Sequence, residues 1–398
     1  MILSNMKRRD FLTAAATTSV ALAIHAAESA SPLRVALIGH TGRGNYGHGL
    51  DTMWPRLPAT MLVAVADADA KGLEGALKKL ELTRGFRDYR QMLVETKPDI
   101  VAIAPRHVDQ HRDMILAAVE AGVRGIYLEK PFCRTPAEAD EIVAACEQRN
   151  VRMAVAHRNR WHPVLPVLQR LISGGTIGRV LEIRARGKED HRGGALDLWV
   201  LGSHLFNLAT VFAGAPVACT ASVWQGGRLV TKADVTEGAE GVGPLAGDEV
   251  HARFEMENGI PLFFDSIKGV GLPAAGFGIQ IVGTQGIFDL RVDEEPVAHL
   301  LAGNPFQPVK EARRWVPVTT AGIGQPEPIP DLGRLMAQHV IPGRDLVAAI
   351  QEGRETRCGP RDAAASIEMI CAVFESHRLN SQRVSLPLRS RVNPLARL

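Results

Sequence analysis

The sequence predicts an α/β Rossmann-like parallel-sheet domain followed by an α+β domain with a mainly antiparallel sheet. Two patterns carry that prediction. Short apolar runs at residues 33–38, 61–66, 99–104 and 123–128 alternate with helix-length segments of mixed polarity, the pattern of βαβ units. From residue 179 onward strand-like runs follow one another instead, at 180–186, 217–224, 250–256, 261–267, 278–283 and 286–292, as in an antiparallel sheet with helices on one face. At 398 residues the chain is too long for one small core. It divides into a leader over 1–30, a nucleotide-binding domain over 33–156 and a substrate-binding and oligomerisation domain over 157–398 that includes the C-terminal helices.

In the leader, Lys7-Arg8-Arg9-Asp10-Phe11-Leu12 precedes a mildly apolar stretch over 13–27 that ends among small residues, the form of a twin-arginine export signal. The stretch falls short of the roughly 20 apolar residues of a membrane span and contains Thr13, Thr17, Thr18, Ser19 and His25, so no stable span is expected. A disordered basic tail ahead of a short core helix is the plainer alternative. Export by this route carries proteins already folded and places the chain in the periplasm, with cleavage near Ala27 or Ala30.

Composition sets further bounds. The formal charge is +3, or +2 without the leader, and 46% apolar with 22% charged residues is ordinary for a globular protein. No basic patch interleaved with aromatics points to a nucleic-acid partner. The five cysteines lie far apart, and neither they nor any other His/Cys/Asp/Glu spacing suggests a disulfide framework or a metal site.

The run over 33–38 leads into Gly39-His40-Thr41-Gly42-Arg43-Gly44, read as opening a helix. A glycine-rich turn there lets backbone amides approach a pyrophosphate, which makes Gly39, Thr41, Gly42, Arg43 and Gly44 candidate cofactor contacts. The fingerprint is irregular, because the spacing counted from Gly39 meets Thr41 where a second glycine belongs. The second run ends at Asp67, 23 residues past Gly44. A carboxylate at that strand end accepts both hydroxyls of an adenosine ribose and repels a 2′-phosphate, so it favours NAD over NADP. Asp67 as a cap for the helix starting near Ala70 is the competing reading.

Residues 111–121 carry Met114, Ile115, Ala118 and Val119 at helical spacing and stop at Gly122. The fourth run ends in Glu129-Lys130-Pro131, and Thr135-Pro136-Ala137-Glu138 then opens a helix to about residue 148 with a capping box. Lys130 therefore sits between a strand end and a helix start, where open α/β sheets place their chemistry.

These residues resemble the Gfo/Idh/MocA oxidoreductases, NAD(P)-dependent enzymes acting mostly on sugars, polyols and their derivatives. The supporting stretches are residues 35–44, 99–105 with His111, Ala121-Gly122, Glu129-Lys130-Pro131, Asn159-Arg160, residues 174–178 and 281–286, and the run 345–377. The resemblance implies that Lys130 contacts the nicotinamide ribose and the reacting hydroxyl, with Glu129 shaping its loop. It also implies that Pro105, His111 and Arg160 belong to the cofactor side. Family members carry a D-x-x-x-H pair on a helix of the second domain, the histidine acting as acid-base catalyst. Here His204 matches that histidine, but Val200 stands four residues before it. Asp197, seven residues before His204 and about two helical turns away, is the remaining carboxylate candidate; a helix-start cap is its other reading.

Lys188-Glu189-Asp190-His191-Arg192 precedes the His204 helix as a possible source of hydroxyl-binding groups, with solvated loop as the alternative. Trp161 and Trp199 are candidates to stack on a sugar ring, and residues 230–247 read as a mobile excursion. The leading expectation is hydride transfer from a secondary carbinol of a carbohydrate-like substrate to NAD, with His204 taking the proton and Lys130 holding the oxygen. An NAD-recycling glycosidase or lyase with a tightly held cofactor is the alternative, and a non-catalytic sugar-binding relative a third. The resemblance implies a homo-oligomer paired through the second sheet.

Overall fold

The computed structural model describes residues 31–271 and 277–398; the leader expected at 1–30 lies outside the described residues. Six strands, β1 (Leu33–Ile38), β2 (Thr60–Ala66), β3 (Gly85–Phe86), β4 (Ile100–Ile103), β5 (Gly125–Leu128) and β6 (Arg152–Val155), form a parallel sheet in the order β3-β2-β1-β4-β5-β6. Helices cover both faces, so β4 and β5 are apolar and buried along their whole length. The strand order turns outward on both sides from the β1/β4 pair, and the carboxyl ends of those two strands flank the switch point at which such sheets hold ligands.

The helices start where the sequence marks them. Asp69 caps α1 (Ala70–Leu80) by accepting from the Gly72 amide, and Asp88 caps α2 (Tyr89–Thr96). After α3 (His111–Glu120), α4 (Pro136–Arg149) begins at Thr135, whose hydroxyl accepts from the Glu138 amide at 3.2 Å. Glu138 reaches back to the Arg134 amide and guanidinium.

The helix expected after β1 is missing. Residues 39–53 are a succession of turns, followed by one 3₁₀ turn at Trp54–Arg56. Gly42, Gly44, Gly47 and Gly49 have φ between 62° and 91°, and Asn45 has φ 54°. These left-handed residues cannot continue a right-handed helix.

The second domain is built on an eleven-stranded sheet. Its strands are β7 (Val180–Arg186), β8 (Pro216–Gln225), β9 (Arg228–Leu229), β12 (Glu249–Met256), β13 (Leu262–Ile267), β14 (Gly278–Gly283), β15 (Gly286–Arg291), β16 (Ala298–Ala302), β17 (Trp315–Thr319), β18 (Gly322–Ile323) and β19 (Val384–Ser385). Their order is β18-β17-β16-β15-β14-β7-β13-β12-β8-β19, with β9 paired to β8; β7 and β13 run parallel and the other pairs antiparallel.

One face of this sheet is packed against α6 (Ala195–Ala213), which contacts β7 and β14, and against the last helix. Ahead of β7 in the chain comes α5 (Leu165–Ser173). By length and apolarity α6 would suffice to cross a membrane, but 72% of its apolar window is buried inside the domain. The expected excursion at 230–247 is folded rather than loose. It contains a small hairpin, β10 (Thr236–Glu237) with β11 (Pro244–Leu245), buries Val242 completely, and brings Gly241 against Asp109 of the first domain.

The C-terminal helices join the two domains. After α7 (Leu332–Ala337), α8 (Val340–Glu352) packs on β5 and β6, where Gly125 leaves room for Ile350. The last helix, α9 (Pro360–Arg378), lies against both α4 and β8. The first sheet is thus covered partly by residues from the far end of the chain, and the two cores are continuous.

Candidate active site

Glu129 and Lys130 leave the end of β5 and are almost wholly buried, at 1% and 7% exposure. Glu129 ties the strand end to the glycine loop, accepting from the His48 amide at 3.0 Å, from His48 Nδ1 at 3.1 Å and from the Lys130 amide at 3.0 Å. Gly47 is required by this approach, because a Cβ there would collide with the Glu129 carboxylate. Burial pushes the Glu129 carboxyl up, but the hydrogen bond from His48 and the charges of His48 and Lys130 outweigh it and hold the pKa at about 2. Burial lowers the Lys130 ammonium, with Glu129 opposing.

Lys130 Nζ donates to the Val200 carbonyl at 3.3 Å. That carbonyl belongs to a π-helical turn, Leu198–Gly202, inside α6. Such turns are common at functional sites because they break the 3.6-residue phase of a helix. The break also corrects the expectation for Asp197. Its seven-residue spacing from His204 no longer keeps both on one face, and Asp197 is fully buried away from the cavity. Its carboxylate accepts from the Ser266 hydroxyl at 2.6 Å and the Glu189 amide at 3.0 Å, so it anchors the 188–192 loop.

His204 lines a cavity of about 230 Å³ together with Glu129, Lys130, Arg158, Lys188 and Arg192. Its Nδ1 is enclosed without a partner, and burial, followed by the charge of Lys130, keeps its pKa well below the ordinary histidine value. The ring meets His157 edge to face at 5.2 Å. His157 is buried, with Nε2 unpartnered and Nδ1 3.7 Å from Cys358 Sγ; burial, then Lys130 and Arg160, takes its pKa to about 3. His339, at the start of α8 with φ 56°, closes another wall and pairs with the Tyr127 hydroxyl at 2.8 Å. Burial lowers its pKa to about 4, despite Glu129.

These imidazoles set a pH dependence of stability. Each is neutral when folded and has an ordinary pKa near 6.5 when unfolded, so below that pH protons bind the unfolded chain first. Stability present above pH 6.5 is lost as pH falls, by about 1.4 kcal/mol per pH unit for each fully buried histidine until its folded pKa is reached. Melting temperature should be flat above pH 7 and fall between pH 6.5 and 5, less steeply in His157→Asn. Equal slopes for the two chains would show that His157 is not held neutral.

At the other end of the cleft, the G-x-G-x-x-G spacing sought from Gly39 occurs three residues later, as Gly42-Arg43-Gly44-Asn45-Tyr46-Gly47. Gly44 abuts Arg106 on the loop after β4, and the Tyr46 ring lies over Gly39; a Cβ at either glycine would collide. Asp67 stands at the end of β2 as expected, but Asp69 does the helix capping. The Asp67 carboxylate accepts from the Thr41 amide at 3.1 Å, the Thr41 hydroxyl at 2.7 Å, the Tyr46 hydroxyl at 2.9 Å and the Asp69 amide at 2.9 Å. The residue types fit an NAD ribose. To receive it, Asp67 must exchange the Thr41 and Tyr46 hydroxyls for those of the sugar.

Other residues expected on the cofactor side have protein partners. His111 is fully buried and bridges the Pro105 carbonyl at 2.7 Å and the Pro131 carbonyl at 2.8 Å, clamping the loops after β4 and β5. Pro105 is correspondingly engaged through its carbonyl. Arg160 points away from the cleft and binds the Asn207 carbonyl, Thr210 and Asp362, all on α6 or α9. Arg43 pairs with Asp109. Trp199 and Trp161 are core residues, and Trp161 Nε1 donates to Asp345 at 2.8 Å. The cavity residues His48, Arg158 and His339, and His157 packed against His204, were not singled out as site residues from the sequence; the run His157-Arg158 directly after an apolar strand was the available signal.

Residues 33–157 match the family described as "Oxidoreductase family, NAD-binding Rossmann fold", and residues 151–386 match its C-terminal alpha/beta domain. The chain is 35% identical over 125 residues to D-apiose dehydrogenase of Paraburkholderia graminis, a stretch covering 31% of this chain and 33% of that protein. It is 28% identical over 131 residues to trans-1,2-dihydrobenzene-1,2-diol dehydrogenase of Xenopus tropicalis, covering 32% and 39%. These alignments span only about a third to two fifths of the relatives' length. Among solved structures, levoglucosan dehydrogenase with NADH and levoglucosan superposes with a TM-score of 0.69 at 22% identity, over 90% of this chain and 100% of that one. An Agrobacterium radiobacter oxidoreductase in complex with NAD+, L-tartaric acid and magnesium superposes with a TM-score of 0.67 at 19% identity, over 89% and 98%. The two superpositions establish a shared two-domain fold.

Proposed function

Because the chain belongs to the Gfo/Idh/MocA oxidoreductase family, we propose that it is an NAD-dependent dehydrogenase of a secondary hydroxyl in a sugar, polyol or sugar derivative. The supporting observation is the convergence of Lys130 and His204 on one cavity at the carboxyl edge of the parallel sheet. Bound NAD would accept the hydride as the carbinol carbon becomes a carbonyl. The chain's own residues manage the oxygen and its proton.

His204, kept neutral by burial, is ready to accept the hydroxyl proton, and its enclosed Nδ1 lacks a competing partner. Lys130 spends one N–H on the Val200 carbonyl, leaving two of its three donors for the substrate oxygen. A carbonyl holds the ammonium in place without cancelling its charge, as a carboxylate at position 200 would. That charge stays available to the oxygen as negative charge develops on it. His111 and Glu129 fix the loops that carry this pair.

The proposal extends to location and assembly. The Lys7-Arg8-Arg9-Asp10-Phe11-Leu12 leader supports export in folded form to the periplasm. The open face of the large sheet, with a cleft of about 520 Å³ lined by Arg184, Arg186, Asp265 and Gln280, supports pairing with a second copy. The catalytic proposal is tested by incubating purified protein with NAD and a panel of sugars, polyols and glycosides while following NADH and products. One NADH per ketone formed is expected. Glycoside cleavage with no net NADH would overturn it.

A further inference from the structure

The cavity wall is cationic. Lys130, Arg158, Lys188 and Arg192 line it, against two lining carboxylates, Glu129 and Asp293. Each carboxylate is already engaged. Glu129 is held by His48 and the Lys130 amide, and Asp293 is shared by Arg158 Nη2 at 3.2 Å and Lys188 Nζ at 3.3 Å. Arg192 is satisfied separately by two bonds to Asp190, at 3.0 and 2.6 Å. One acid therefore serves two cations at the Arg158–Lys188 corner. Arg158 has five N–H donors and gives one to Asp293, and Lys188 has three and gives one.

The remaining donors have no protein partner among the described residues, and the neutral imidazoles of His204 and His157 contribute no balancing charge. The Phe277 ring lies 5.8 Å from Lys188 Nζ and 6.2 Å from the His204 ring, so an apolar spacer separates the cationic corner from the acid-base pair. The volume of about 230 Å³ suits one small sugar unit.

We propose that the substrate is an anionic monosaccharide, a uronic or aldonic acid, with its carboxylate on Arg158 and Lys188 and its reacting hydroxyl between Lys130 and His204. This rests on the dehydrogenase reading for the second half of that statement and on charge and geometry alone for the first. A guanidinium and a carboxylate form paired, charge-assisted hydrogen bonds that a neutral hydroxyl cannot match. Inside a partly enclosed cavity the uncompensated charge is worth more than at an open surface.

The test uses calorimetric titration of the purified full chain with D-glucuronate, D-galacturonate, D-mannuronate, D-gluconate and D-galactonate, each beside its neutral parent sugar or alditol. At least one acid should bind about tenfold or more tightly than its neutral counterpart. That margin should shrink with added salt and close in Lys188→Met and in Arg158→Gln, two substitutions on different elements, each melting as the parent chain does. Equal or weaker binding of all the acids, no binding of any, or a preference that survives both substitutions would overturn the inference. Turnover is read separately. Acid binding with no NADH from any compound would overturn the dehydrogenase reading and leave this one standing; NADH from neutral sugars alone, without acid binding, would do the reverse.

Discussion

Replacing Lys130 by Met is expected to lower turnover about 10³-fold, the usual scale for losing one donor to a developing oxyanion, while the protein still folds and still binds NAD. The side chain reaches into the cavity with a single protein partner, the Val200 carbonyl. Methionine keeps most of its volume but removes one of the charges that hold the buried Glu129 ionised, so a modest loss of thermal stability is expected. The loss should fall on kcat, because the lysine acts most strongly when negative charge appears on the oxygen. Steady-state kinetics with the best substrate of the panel, alongside a melting curve, measure both halves. A kcat within a few-fold of the parent would remove Lys130 from the chemistry.

His204→Asn should cost a comparable factor, about 10²- to 10⁴-fold for loss of a positioned general base, and should also change the shape of the pH profile. The neutral imidazole is the active form for carbinol oxidation. Burial and the charge of Lys130 lower its pKa, so activity should persist at pH 6, where an ordinary histidine would be mostly protonated. The acid limb of kcat/KM should therefore lie below 6.5 in the parent and vanish in the asparagine variant, whose residual rate should climb with hydroxide instead. A limb at 6.5 in the parent, or one unchanged by the substitution, would assign the proton to another group. His157 is the neighbour to examine in that case, since its ring touches that of His204 and its Nε2 is also unpartnered.

The strands were legible in two ways: β1, buried on both faces, reads as a largely apolar run over 33–38, and β7, over 180–186, alternates buried Ile183 and Ala185 with exposed Arg184 and Arg186. Lys130 was legible because strand ends in such sheets are addressable from sequence. What sequence spacing did not convey was backbone phase. Asp197 and His204 share a face only in an uninterrupted α-helix, and the π turn at Leu198–Gly202 rotates one away from the other. Likewise Leu50, Met53 and Trp54 give residues 39–54 an apolar content that suggests a helix, yet they are buried from turns whose glycines take positive φ. His111 and Arg160 illustrate a third gap. Spacing carried no information on their partners: His111 bridges the Pro105 and Pro131 carbonyls, and Arg160 binds the Asn207 carbonyl. The strands β16 to β18 did not stand out because they are short, five, five and two residues long.

The stitching of the two domains bears on how a dinucleotide gets in and out. Arg160 is fastened to α6 and α9, Trp161 to Asp345 on α8, and α8 itself is seated on β5 and β6. Domains fixed to each other in this way do not swing apart as a hinge. Entry is left to the turns at 39–53, which must release Tyr46 and Thr41 from Asp67 and lift Gly44 off Arg106. Hydrogen bonds to a charged acceptor contribute about 1.5–3 kcal/mol each, so that movement is a slow local opening rather than a free flutter. The loop acts as a latch at the entrance: a dinucleotide enters only after it opens, and once the ribose has replaced Thr41 and Tyr46 on Asp67 those bonds no longer hold the loop shut.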